Sequence, residues 1–176
     1  MPAPVLALDI ASVSGWAFGE PGGTPAHGTH RFARAGASHE AIFAGAVKWI
    51  NGLLNEYEPR IVVWEAPLAG FKGGKTTVDV TTILFGLPAV IGAVVYLRGI
   101  YDIRKADTRD VRMHFIGSNP KRAEAKPKVM RQCRLMGWPV SDDNEADALA
   151  TWSYMCSLIE PRLAIAPTPL FQRIGQ

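Results

Sequence analysis

The run Val5-Leu6-Ala7-Leu8 is apolar at every position and meets an aspartate, Asp9, before Ile10. A continuous apolar run of this length predicts a strand buried on both faces. Gly15 to Phe18 reads as a second strand, joined to the first by a tight turn containing Ser12 and Ser14. Gly19 to Gly28 is punctuated by Gly and Pro as a hairpin loop is, and Thr29 to Phe32 would return as a third, antiparallel strand. From about Ser38 to Tyr57 the pattern changes: Ile42, Ala46, Ile50, Leu53 and Tyr57 recur at helical spacing, with Ser38 as the cap. Pro59 ends that helix. Ile61-Val62-Val63-Trp64-Glu65 then repeats the opening pattern, a buried strand finished by a carboxylate.

The loop from Ala66 to Thr77 leads into a long apolar helix, Val78 to about Arg98, and Ile100 to Arg104 reads as a fifth strand. Two basic helical segments follow, roughly Thr108 to Phe115 and Ala125 to Met136, split by Gly117-Ser118-Asn119-Pro120. A last helix is predicted from about Asp142 to Ile159, capped by Ser141 and stopped by Pro161, and the tail with Pro167 and Pro169 reads as extended. A three-strand meander followed by helix, strand, helix, strand and terminal helices describes an α/β domain with a mixed five-stranded sheet flanked by helices. It does not fit a doubly wound parallel sheet, in which strand and helix alternate from the start. No repeat or linker divides the chain, so residues 1–160 form one expected domain and 161–176 an extended C-terminal tail.

Composition narrows the class. In 176 residues, 48% are hydrophobic and 20% charged, enough to sustain one packed core. The N-terminus lacks the basic and apolar regions of a signal peptide. The longest apolar stretch, Ile83 to Leu97, is about 15 residues and holds a proline and two glycines, which suits a buried helix better than a bilayer span. With only Cys133 and Cys156, a disulfide framework or a four-ligand zinc site is excluded, and a reducing cytoplasm is the expected setting. Net charge is +3 but unevenly placed: Arg98 to Arg134 holds 11 Lys and Arg against 4 acids. Such a stretch marks a face for a polyanion, or else a solvated helix surface.

The chemistry lies in the carboxylates. An unpaired buried charge costs several kcal/mol, so two apolar strands ending in Asp9 and Glu65 require an explanation. The last helix adds Asp143 and Asp147 at i and i+4, with Asn144 three residues before Asp147, all on one face. Ala146, Ala148 and Ala150 surround Asp147 with small residues that let this face approach a sheet. Carboxylates crowded together raise one another's pKa, a penalty that divalent cations remove; all-oxygen donors favour Mg²⁺ or Mn²⁺. Taken singly, each acid has an ordinary structural explanation as a turn cap or a partner of the helix dipole.

Leu6-Ala7-Leu8-Asp9 with Gly15-Trp16-Ala17, then Ile61 to Glu65, then Asn144-Glu145-Ala146-Asp147-Ala148-Leu149-Ala150 resembles, in order and over residues 5 to 160, the RuvC-type Holliday-junction resolvases of the RNase H-like superfamily, particularly those of phages and prophages. The resemblance implies an RNase H-like nuclease domain and a crossover junction endodeoxyribonuclease. It implies two Mg²⁺ or Mn²⁺ ions roughly 4 Å apart hydrolysing a phosphodiester to a 5′-phosphate and a 3′-hydroxyl. It also implies four-way-junction DNA as partner and, because two strands are cut across a two-fold junction, a homodimer. Carried onto this chain, Asp9, Glu65 and Asp147 are metal ligands, Asp9 bridging. The family's further acid or histidine three residues before the helix aspartate is replaced by Asn144. Asp143, on the same face, is the favoured additional ligand, and Asn144 a neutral ligand or neighbour. Lys126, after the Ile116-Gly117-Ser118 turn, matches the family's lysine near the metals.

The loop Gly70-Phe71-Lys72-Gly73-Gly74-Lys75 follows Glu65 directly. Its glycines permit close backbone approach, Lys72 and Lys75 suit phosphates, and Phe71 suits a wedge against unstacked bases. Arg109, Arg112, Lys121, Arg122, Lys126 and Lys128 complete the expected nucleic-acid contacts. The same segment, Ala69 to Thr76, nearly matches a phosphate-binding loop. A nucleotide hydrolase built on it would leave Asp9 and Asp147 unused and lack parallel strands. A sugar-kinase or actin-like ATPase would need a second domain. A less selective branched-DNA nuclease, and a DNA-binding module without metals, stand as the alternatives within the same fold.

Overall fold

A computed structural model describes residues 2–66 and 78–163 of the chain. Five strands form one mixed sheet in the order β3-β2-β1-β4-β5. They are β1 (Val5–Asp9), β2 (Val13–Gly19), β3 (Ala26–Arg31), β4 (Ile61–Glu65) and β5 (Ile103–Ala106). The pairs β1–β2 and β2–β3 are antiparallel, as the meander pattern predicts. β4 runs parallel to β1, and β5 parallel to β4.

Strand parity explains both the core and the site. β1 and β4 are central and covered on both faces, which is why every position before their final acid is apolar. Val5, Ala7, Ile61 and Val63 point to one layer, with α3 (Thr108–Ile116), α4 (Arg122–Leu135) and α5 (Asp143–Ile159). Leu6, Leu8, Val62 and Trp64 point to the other, with α1 (His39–Tyr57) and α2 (Val78–Leu97). Alternation then carries Asp9 and Glu65 onto the Val5 and Ile61 side, toward α5. Leu8 pairs with Trp64, so the two acids follow side by side at the ends of neighbouring strands.

Several boundaries differ from the sequence reading. β3 spans Ala26–Arg31 rather than 29–32, because the antiparallel register with β2 continues through Gly28 and His27 into the expected hairpin loop. β5 begins at Ile103, not Ile100, because it follows the pairing Val62↔Ile103 to Glu65↔Ala106. α4 starts three residues earlier, at Arg122, and accommodates Pro127 inside the helix. The cap of α5 is Asp142, whose carboxylate accepts from the Glu145 N–H, in place of Ser141.

α2 also departs from expectation. It is a 20-residue helix, long and apolar enough to cross a membrane by length and composition. Only Leu87, Ile91 and Val95 are buried. They join the core beneath α1, where Gly86 abuts Phe43 and Gly92 abuts Trp64. The helix is thus a covering layer of the sheet with a second, outward apolar side rather than a fully buried core element. Cys133 and Cys156 are buried free thiols. Pro161 lies in a turn just after α5; the rest of the expected tail, residues 164–176, and Phe71, Lys72 and Lys75 with their loop lie outside the described residues.

Candidate active site

The turn after Asp9 is tied by Ser14, whose buried hydroxyl accepts from the Ala11 N–H and donates to the Ala11 carbonyl. That turn brings Gly15 of β2 directly opposite Asp9. The main chain of Asn144 crosses there: a Cβ at Gly15 would lie only 2.7 Å from the Glu145 backbone nitrogen. A side chain at this position would push α5 away, so glycine permits the helix to reach the strand end. Ala146, Ala148 and Ala150, further along the same helix, are buried.

The result is a cavity of about 460 Å³ at the carboxyl ends of β1 and β4. Asp9, Glu65 and Asp147 line it, together with Asn144, Arg112, Arg122 and Lys126. Burial first, and then the neighbouring charges of Asp147 and Glu65, push the Asp9 carboxyl up to about 8 against the opposing pull of Lys126 and Arg122. Asp147 is raised to about 6, first by burial and then by Glu65. Glu65 is raised by burial, against the hydroxyl of Thr108, which donates to its Oε2 at 2.7 Å. Thr108 opens α3, one residue after the Asp107 cap, and escaped the sequence reading because nothing in the chain pairs it with a residue 43 positions earlier.

The other expected site residues divide. Asn144 lines the cavity, whereas the Asp143 carboxylate is bonded to the ammonium of Lys126. Arg112, Arg122 and Lys126 face the acids; Arg109, Lys121 and Lys128 are exposed outside the cavity. No three His, Cys, Asp or Glu side chains among the described residues are arranged to hold a metal as they stand. The donor chemistry nonetheless fits hard divalent cations: three mutually repelling carboxylates and one amide oxygen in a partly enclosed cavity.

A mixed sheet of this order, with helical layers on both faces, is an RNase H-like fold. Among solved structures, the chain is similar to RuvC of T. thermophilus in complex with a Holliday junction substrate, with a TM-score of 0.68 and 12% identity over 92% of this chain and 96% of that one. A second Thermus thermophilus RuvC structure matches with a TM-score of 0.62 at 13% identity, over 91% of this chain and 96% of the other. The yeast mitochondrial Holliday junction resolvase Ydc2 matches at 0.58 and 10%, over 86% and 77%. The chain therefore has the fold of the RuvC-type resolvases. No protein-family model and no curated protein sequence matches it.

Proposed function

We propose that this protein is a RuvC-type nuclease that hydrolyses phosphodiesters in branched DNA, resolving four-way junctions as a homodimer with two Mg²⁺ or Mn²⁺ ions. The observation that carries the proposal is the shared cavity of Asp9, Glu65 and Asp147, three half-buried acids from distant parts of the chain facing cationic side chains. Nothing in folding alone rewards such a cluster, since each charge costs desolvation and repels the others. Asp9, Glu65 and Asp147 would hold the ions, with the Asn144 amide as neutral donor and Asp143 steadying Lys126. Ions held there would activate a water and offset negative charge on the reacting phosphate. Thr108 holds the Glu65 carboxylate in a fixed orientation. Arg112, Arg122 and Lys126 meet the scissile phosphate, and the more distant Arg109, Lys121 and Lys128 meet the flanking backbone. The junction-bound state of the T. thermophilus neighbour supports branched DNA as the partner.

The dimer reading rests on α2. Val78, Phe85 and Tyr96 are 82%, 42% and 59% exposed and fall on one stripe with the exposed Ala89. An apolar stripe of this length suits a two-fold partner. One observation favours a second reading, a DNA-binding module without metals: Asn144 replaces an acid while Asp143 is engaged by Lys126.

The test is incubation with labelled four-way junction, flap and linear duplex in Mg²⁺ or Mn²⁺, with Asp9→Asn and a chelator as controls. Paired, ligatable nicks in the junction support resolution. Cutting that ignores substrate shape reduces the assignment to a general nuclease, and binding without cutting favours the metal-free module.

A further inference from the structure

Beside the cavity, and not lining it, stands a buried charge that the catalytic reading leaves unused. Glu145 is 6% exposed. It bonds to His27 Nδ1 through Oε1 at 2.6 Å, and its Oε2 accepts from the Ser141 N–H at 2.6 Å and the Ser141 hydroxyl at 2.7 Å. Its own N–H donates to the Asp142 carboxylate at 2.9 Å. The first turn of α5 is thereby fastened to its own entry segment and, across 118 positions of sequence, to the edge strand β3.

We infer that His27, Glu145 and Ser141 form a clamp that positions Asn144 and Asp147 for metal binding, an inference that rests on the nuclease reading above. Gly15 fixes one side of this turn by close backbone contact. The clamp fixes it in direction, because hydrogen bonds have angular preferences that apolar packing lacks. A buried carboxylate is a weak source of net stability, since its desolvation offsets what its hydrogen bonds return. Its three bonds specify instead how far α5 rotates about the Gly15 contact. Asn144 directly precedes Glu145, and Asp147 lies two residues after it, on a different side of the helix. Rotation of the turn would carry both out of the cavity. Glu145 touches neither the cavity nor the candidate DNA surface, so it is a positioning residue. Partners that orient metal ligands typically carry about 10–100-fold in metal affinity or activity when removed.

The experiment compares wild type with His27→Ala, Glu145→Ala, Glu145→Gln and the double His27→Ala/Glu145→Ala variant. Mn²⁺ affinity is measured on the DNA-free protein by electron paramagnetic resonance, and kcat and KM on a four-way junction. Glu145→Ala should weaken Mn²⁺ binding about 10-fold or more and lower kcat, with KM for the junction within about two-fold of wild type. Glu145→Gln, which keeps an acceptor for Ser141, should recover most of both. The double variant should be no worse than the worse single one, because the two residues act as one unit. If the wild type binds Mn²⁺ and cuts junctions while the folded variants do so equally well, the clamp is overturned alone. If the wild type neither binds Mn²⁺ nor cuts DNA, the nuclease reading falls, and the clamp with it.

Discussion

Gly15 and Asn144 meet backbone to backbone, with Gly15 opposite Asp9 in the sheet and Asn144 in the first turn of the helix that carries Asp147. This contact sets the distance between two parts of the candidate site that lie more than a hundred residues apart. A methyl group at Gly15 has nowhere to go, since the atoms it would strike belong to main chain. Gly15→Ala should destabilise the fold by about 1–3 kcal/mol. It should also cut junction cleavage more than tenfold in the fraction that remains folded, because small misplacements of reacting groups are costly. Urea denaturation and single-turnover nicking measure the two effects separately.

The acids should make the metal-free protein less stable as pH rises. Asp9 titrates near 8 in the folded protein against an ordinary value of 3.8, so the folded state holds a proton that the unfolded state has released. The stability this proton represents is complete below about pH 4 and lost between there and pH 8. Asp147, raised to about 6, adds to the same slope at its lower end. Asp9→Asn should flatten the decline and raise the metal-free melting temperature at pH 8, by an effect on the order of a few kcal/mol. In the wild type, Mg²⁺ or Mn²⁺ should restore stability most at high pH, which a series of melting curves with and without chelator would reveal.

Cations inside and outside the cavity should behave differently. Arg112 lines the cavity with Asp147, whereas Lys128 is exposed beyond it. Either change to Ala should reduce junction affinity and lower the salt slope by about 1, from a value near −5 if about six phosphates are neutralised. Only Arg112→Ala should also slow cleavage once DNA is saturating. Equal single-turnover rates for the two variants would remove Arg112 from the site.

The outward stripe of α2 should hold the dimer together. Phe85 is 42% exposed and points away from the Leu87, Ile91 and Val95 face. Phe85→Glu should therefore convert a dimer to a monomer in sedimentation equilibrium while leaving the melting temperature of the monomer nearly unchanged. Paired cutting of the junction should give way to single nicks. A wild type that sediments as a monomer at micromolar concentration would contradict the interface.

The sequence by itself determined the sheet and its acids. Uninterrupted apolar runs before Asp9 and Glu65 mark strands covered on both faces, and the alternation of side chains along a strand then decides which face the acids take. The alanines around Asp147 likewise disclose a helix pressed closely against something. Only the tertiary structure decided what each group meets there. Asp143 and Asn144 point about 100° apart around the helix, so which of them faces the cavity depends on how α5 is seated against Gly15 and a lysine from α4. The links from Thr108 to Glu65 and from His27 to Glu145 join residues whose spacing carries no periodic signal. Local pattern encodes burial and direction because both follow from the backbone of a single element. Long-range polar pairing depends on how separate elements pack, and that is fixed only when the whole chain has folded.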